Sequence, residues 1–249
     1  MRRRSFLVAA LLACLYAPSA HAAIAFDAFT ALAGGVDPSG THTPAGTPNA
    51  AIVAVFHPDT EPVVAVTYAG VDMGASVATL NNGVAGELAT AAFTYFLLNS
   101  PTAGAQTVAV NGGAGAVAAY VVTVTASNTV SLVATQNIQQ TTGANPSATL
   151  ALGGVTSFVL MPWLSGQDDS ITNVTPLTNW TSRSETDNGT QGGGAYTYDI
   201  IGSTDVTIGV TQTTDDFFTL SAAFREDAAA STTDCRNGPL TGLAGPCAD

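Results

Sequence analysis

Residues 63–70 read VVAVTYAG, and this stretch decides the fold class because a run of apolar and β-branched residues ends in a turn dipeptide. Residues 92–98 form a second such run, which a loop at 99–104 separates from a third at 106–110. Strand-like runs divided by Gly, Pro and Asn at short intervals are typical of an all-β sandwich or barrel. The chain is therefore predicted to be all-β.

The same pattern extends in both directions from this stretch. Further strands are predicted at 24–29, 51–56, 76–80, 117–125, 130–135, 148–152, 157–161, 196–200, 205–211 and 217–224. Residues 84–98 mix helical spacing with aromatic and Thr content, and we interpret their second half as a strand. Residues 165–194 are predicted to be a polar interval. We find no internal repeat and expect one domain, residues 23–227.

The N-terminus has the features of an export signal. Three arginines at positions 2–4 precede an apolar run at 6–16, and Ala20-His21-Ala22 is a small-x-small cleavage site. Together they predict a signal peptide, residues 1–22, and a secreted or cell-surface protein. Arg3-Arg4 leaves twin-arginine export open beside ordinary secretion. No segment is long and apolar enough to predict a transmembrane span.

Charge narrows the range of partners. Without residues 1–22 the chain has three arginines, no lysine and 18 acidic residues, a formal charge of about −15. Such a surface repels phosphate backbones and anionic lipid, so nucleic acid is not expected as a partner. Calcium, surface glycans and other copies of the chain remain possible partners.

The two cysteines outside the signal peptide are Cys235 and Cys247. In an exported protein one such pair is expected to close as a disulfide. They lie in residues 228–249, which follow the last predicted strand. We therefore expect a short disulfide-stapled C-terminal tail.

Three segments resemble a loosely defined group of bacterial extracellular β-sandwich domains. Residues 66–73 (VTYAGVDM) are similar to its V-T-Y-G-G-x-x-M/L motif, and residues 95–104 (YFLLNSPTAG) to its Y-L-L-N-P-P-x-G motif. Residues 217–225 (FFTLSAAFR) resemble its closing strand. The resemblance covers residues 24–226 and implies a jelly-roll-like sandwich of two antiparallel sheets. It carries over no catalytic residue.

Acidic residues in the polar interval suggest two alternative sites. Asp168 and Asp169, together with Asp187 or Glu185, have the oxygen ligands that calcium prefers. No spaced calcium-loop motif accompanies them, so solvated loop carboxylates are the competing interpretation. Glu185 and Asp187 would share one face of a strand and could act as the carboxylate pair of a glycoside hydrolase.

Three aromatic residues predict a ligand-binding platform. Trp180 lies in the polar interval, and Tyr196 and Tyr198 are two apart on a predicted strand. Exposed rings of this kind stack on sugars, whereas buried rings simply fill a sandwich core. These residues are the basis for a carbohydrate-binding alternative.

Few residues could support nucleophilic catalysis. His42 and His57 are predicted to lie in loops, and no G-x-S-x-G motif is present. We therefore expect a structural or adhesive protein without enzymatic activity and without a required cofactor. Ile24, Phe26 and Phe29 begin the mature chain, and this strand is predicted to pair with a neighbouring subunit.

Overall fold

A computed structural model of the chain describes residues 24–228, apart from residues 61, 64, 84–87, 113–116, 155, 167–173, 188–191, 202–204 and 213–214. The predicted signal peptide and the Cys235–Cys247 disulfide lie outside the described residues. Every regular element in the described part is a β-strand, and every strand pairing is antiparallel. The predicted all-β, antiparallel class is confirmed.

The strands, in chain order, are β1 (Ala25–Gly35), β2 (Ser39–His42), β3 (Ala50–Pro58), β4 (Ala65–Tyr68), β5 (Val71–Asp72), β6 (Ala78–Asn81), β7 (Ala91–Asn99), β8 (Gln106–Asn111), β9 (Val117–Thr125), β10 (Val130–Gly143), β11 (Ser147–Leu150), β12 (Ser157–Ser165), β13 (Thr175–Pro176), β14 (Thr181–Asp187), β15 (Gly192–Ile201), β16 (Val206–Thr211) and β17 (Asp215–Glu226).

These strands form four sheets. The N-terminal half contains an inner sheet, β1-β9-β3-β7-β6, and an outer sheet, β2-β8-β4-β5. The C-terminal half contains an inner sheet, β10-β17-β12-β15-β14, and an outer sheet, β11-β16-β13. We call these sheets inner N, outer N, inner C and outer C. The predicted sandwich is therefore present twice.

The two halves share one topology. Strands β1, β9, β3, β7 and β6 take the same places in inner N as β10, β17, β12, β15 and β14 take in inner C. The outer sheets correspond in the same way, with β2-β8-β4 matching β11-β16-β13. In each half the first and last strands pair at one side of the inner sheet, which is the jelly-roll arrangement of two Greek keys. The repeat is one of topology, and the sequence analysis found no repeat of residues.

Three buried layers hold the four sheets together. The central layer joins the two inner sheets and includes Phe93 and Tyr120 from one half and Phe158 and Phe224 from the other. A second layer lies between inner N and outer N, and a third lies between inner C and outer C. Both inner sheets are thus covered on both faces. This explains why β3 and β12 are almost continuously apolar and buried, while the outer strand β4 alternates.

Tyr95 links the two halves at the centre of the molecule. Its hydroxyl lies 2.6 Å from the Leu220 carbonyl oxygen and 3.1 Å from that of Leu160, so a single proton is shared between two acceptors of inner C. Complete burial raises the pKa of Tyr95 well above its ordinary value. The hydroxyl therefore acts only as a hydrogen-bond donor.

The turn in the opening stretch is a two-residue hairpin loop. Tyr68 pairs with Val71, which leaves Ala69 and Gly70 as the loop, with φ values of 54° and 76°. Two consecutive positive φ angles match the type I′ turn that suits the twist of a hairpin. The dipeptide therefore reverses the chain between β4 and β5.

The strands are more extensive than the sequence pattern predicted. The strand expected at 130–135 continues to Gly143 as β10, through a polar Gln- and Thr-rich segment. The polar interval at 165–194 contains β13, β14 and the start of β15. β10, β13 and β14 are edge strands, whose more exposed side chains give no clear apolar pattern, and the start of β15 consists of glycines.

Candidate functional site

The aromatic residues predicted as a platform lie in the protein core. Trp180 is 7% exposed, its indole N–H donates to the Thr207 carbonyl at 3.1 Å, and its ring meets Tyr198 edge to face at 5.5 Å. Tyr196 is fully buried against Trp163, and burial together with the nearby Glu185 carboxylate raises its pKa. The rings fill the layer between inner C and outer C, so the predicted exposed platform is corrected to a core cluster.

The acidic residues do not form a described site. Asp168 and Asp169 lie outside the described residues, and so does the side chain of Asp187. Glu185 is exposed and accepts a hydrogen bond from Ser182 at 2.7 Å. Within the described ranges, no three His, Cys, Asp or Glu side chains come together as a metal site would require. Calcium binding and the two-carboxylate pair stay predictions.

Both histidines predicted to lie in loops are instead buried strand residues. His42 ends β2 and is 0% exposed, and His57 lies in β3 at 2%. Each uses both ring nitrogens in hydrogen bonds. Their neighbours Pro44 and Pro58 suggested turns, but each ring packs between an inner and an outer sheet. Sequence spacing could not reveal this, because the side chains that each ring bonds, Thr30 and Thr123 for His42 and Thr94 for His57, are 12 to 81 residues away in the chain.

His42 belongs to a buried network that anchors β1. Thr123 donates its hydroxyl to Asp27 Oδ2 at 2.9 Å, so it accepts from His42 Nε2 at 3.0 Å. Thr30 then donates to His42 Nδ1 at 2.9 Å. The other Asp27 oxygen accepts from the Gly46 backbone N–H. The network requires a neutral His42 with its proton on Nε2.

We expect His42 to make folding stability depend on pH. Burial lowers the pKa of His42 below its ordinary 6.5, and Asp27 offsets part of that fall. Because the unfolded chain binds the proton more readily, stability is complete above about pH 6.5 and falls as pH drops towards the folded-state pKa. Urea unfolding between about pH 7.5 and pH 5.5 should show a slope of up to about 1.4 kcal/mol per pH unit.

His42→Gln tests the origin of that slope. Glutamine keeps a donor and an acceptor but cannot titrate, so the variant should be less stable and should lose the slope in this range. An unchanged slope in His42→Gln would assign the pH dependence to other groups.

The predicted assembly strand is docked in its own sheet. β1 pairs with β9 along its length, and Ile24 just before it is buried in the central layer. Phe26 lies 6.5 Å from the ring of Phe158, and Phe29 stacks on Tyr120 at 6.1 Å. These side chains pack within their own chain. The outer edge of β1 has no strand partner.

β10 has the longest edge without a strand partner in the described part of the chain. The Asn99 side chain already bonds the N–H and the carbonyl of Val130, and the Gln136 side chain bonds the Asn137 carbonyl. β10 pairs only with β17, and its 14 residues include no charged residue and no proline. Pairing is regular from Ala134 to Gln140 between two register shifts. An edge strand directs alternate backbone N–H and C=O groups outwards, where they can pair with another chain. β10 therefore lacks charge protection over seven regular residues.

The opposite edges of the inner sheets are protected. β14, at the far edge of inner C, contains Arg183, Glu185 and Asp187 within seven residues and a register shift between Ser182 and Ser184. β6, at the far edge of inner N, has only four residues. Charges, irregular pairing and short length are the usual protections of sheet edges. Each inner sheet thus has a second edge strand, β1 in inner N and β10 in inner C, and these two strands are equivalent. Both contain two register shifts, and β1 contains Asp27, so β10 alone of the two is uncharged.

Contacts between the halves place the two open edges on opposite sides of the molecule. The Arg183 guanidinium of β14 lies 3.7 Å above the Phe26 ring, so β1 lies beside β14. Gln139 of β10 donates to the Asn81 carbonyl of β6 at 3.0 Å, so β10 lies beside β6. The molecule therefore presents an outer strand edge on each side. β10 has no charged residue, and β1 has one, Asp27, whose carboxylate is hydrogen-bonded within the chain.

Comparisons of the chain with protein-family models, with curated proteins and with solved structures found no match. In the part of the chain that the structure describes, no helix is long and apolar enough to span a bilayer.

Proposed function

We propose that this chain is a secreted structural protein that assembles with copies of itself by strand addition at the outer edges of β10 and β1. The main support is the uncharged, proline-free strand β10, whose outer edge has no strand partner and is regular from Ala134 to Gln140, in a sheet whose other edge strand carries charges. The predicted signal peptide and the resemblance to extracellular sandwich domains support a location at the cell surface or in extracellular material.

The placement of the edges favours an open assembly. A molecule that pairs β10 with a second copy still presents β1 on its other side. Repeated pairing, whether between like or unlike edges, then extends a chain of subunits instead of closing a dimer. The formal charge of about −15 on the mature chain opposes association, so assembly should be favoured by salt.

The alternatives have weaker support. A carbohydrate platform at Trp180 and Tyr196 would need exposed rings, but both rings are buried. Glycoside hydrolysis at Glu185 and Asp187 rests on a pair of acids whose separation is not described.

A single lysine on β10 should block assembly. Thr135 is exposed in the regular part of β10, and Thr135→Lys places a charge where an incoming strand would pair. The matched control is Thr181→Lys, which makes the same substitution at an exposed position of the protected edge β14. We expect Thr135→Lys to weaken association at least about tenfold and Thr181→Lys to leave it unchanged.

Sedimentation velocity of the mature chain over a range of salt and protein concentrations measures the association of the wild type and of both variants. Electron microscopy of the largest species shows whether they are linear chains of subunits. Ala31→Lys, at an exposed position of β1, should stop growth beyond the β10-mediated species. A wild-type chain that stays monomeric at high concentration and high salt would refute the proposal. Equal effects of Thr135→Lys and Thr181→Lys would also refute it.

A further inference from the structure

A cleft in the N-terminal half is built from polar groups that assembly at β1 and β10 does not use. It has a volume of about 310 Å³, in the lower range of small-molecule sites. It opens between β3, β6, β7 and the turn that follows β5. Its polar side chains are those of His57, Asp59, Ser76, Thr79, Asn81 and Thr94.

Hydroxyl groups in the cleft are oriented by His57. The Pro58 carbonyl lies 2.8 Å from His57 Nδ1, so Nδ1 carries the proton of the neutral ring. Nε2 must then accept from the Thr94 hydroxyl at 2.8 Å. Thr94 in turn accepts from Thr79 at 3.1 Å. If the Thr79 proton is directed to Thr94, Thr79 has oxygen lone pairs available at the cleft. Its oxygen also lies 3.5 Å from the Ser76 hydroxyl, a longer contact that competes for the same proton.

Asp59 adds a second acceptor. The residue lines the cleft, and its Oδ1 is shielded from water without a hydrogen-bond partner among the described residues. Burying a carboxylate oxygen without a hydrogen-bond donor costs free energy, so a ligand that supplies a donor to Asp59 would be favoured. The cleft thus favours a ligand that donates hydrogen bonds.

The lining also includes apolar groups, those of Pro62, Val63 and the buried Phe96. A cleft that combines apolar groups with a carboxylate and hydroxyl groups suits a molecule that carries both C–H and O–H groups. A single carboxylate, with no further acid in the described lining, does not provide the ligand set that a calcium ion requires.

We propose that this cleft binds a neutral, hydroxyl-rich ligand of monosaccharide size, with Asp59 and Thr79 as acceptors of its hydroxyl protons. The site is far in sequence from Trp180 and Tyr198, around which sugar binding was first predicted. The inference does not depend on self-assembly.

Nuclear magnetic resonance titration of the ¹⁵N-labelled mature chain tests the site. The probes are glucose, galactose and N-acetylglucosamine, with ethanolamine as a donor that is cationic instead of neutral. We expect at least one sugar to shift the amide signals around Thr79, Thr94 and Asp59 with a dissociation constant in the millimolar range or tighter. Asp59→Asn and Thr79→Val should each weaken that binding at least about fivefold.

Thr149→Val is the matched control, because Thr149 is an exposed strand residue of outer C and should leave binding unchanged. Amide dispersion shows whether each variant is folded, and Thr79→Val tests the site if Asp59→Asn does not fold. No shift with any sugar, shifts with ethanolamine alone, or full binding by both folded cleft variants would overturn the proposal.

Discussion

Phe93→Ala should lower the free energy of unfolding by about 3–5 kcal/mol. The Phe93 ring is fully buried in the central layer, 5.1 Å from the ring of Phe218 in the other half and 6.0 Å from that of Phe56 in its own sheet. Its removal takes away apolar burial and leaves a cavity between two sheets that cannot easily close. Small domains are stable by only about 5–15 kcal/mol, so this loss is a large fraction of the total.

Urea unfolding followed by both tryptophan fluorescence and circular dichroism measures the effect. Val71→Ala is the control, because Val71 is 51% exposed and its truncation should cost less than about 0.5 kcal/mol. Both tryptophans lie in the C-terminal half, whereas circular dichroism reports on all strands. If the two halves share one core, both probes should shift together in Phe93→Ala. A fluorescence transition that does not move would mean that the halves unfold independently.

Gly194→Ala should cost about 3 kcal/mol or more, through crowding instead of lost contacts. A Cβ at this position would lie 2.3 Å from the Ser184 carbonyl oxygen and 2.9 Å from Trp163 Nε1. The first neighbour is backbone of β14 and the second is a fully buried ring, so neither can move cheaply. We expect β14 to separate from β15 or the Trp163 ring to shift.

Gly83→Ala is the matched control, because nothing lies within 4 Å of the added Cβ. Its stability in urea should stay close to that of the wild type. Tryptophan fluorescence should report a changed environment for Trp163 in Gly194→Ala and none in the control. Equal stability of the two variants would show that the approach of β14 to Gly194 is looser than the structure indicates.

The same glycine shows why part of the fold could not be predicted. Residues 192–194 are three glycines, which look like a loop in sequence, yet they begin β15. Gly194 is required because β15 passes between Trp163 and β14, and neither neighbour is adjacent in sequence. In contrast, β3 and β12 were predicted near their observed positions, because strands buried on both faces have continuous apolar runs.

The candidate sites also depend on contacts that local sequence does not show. Trp180 was singled out because it lies in a polar stretch, but its ring turns inwards and donates to Thr207. His57 was predicted to lie in a loop and Asp59 was not named as a site residue, since Thr79 and Thr94 come near them only because β6 pairs with β7 and β7 pairs with β3. β10 was predicted as a strand in its first six residues alone, and its polar second part and its place at a sheet edge were not predicted.

By itself, the sequence determined that this chain is all-β and strongly acidic, because composition and local alternation are properties of neighbouring residues; export stays a prediction from its N-terminal pattern. Only the tertiary structure decided that the sandwich occurs twice, that the two inner sheets share a core, and which edges stay open. Strand order, burial on two faces and a hydroxyl relay all depend on residues that are far apart in the chain, and local patterns carry no record of which distant strands pair.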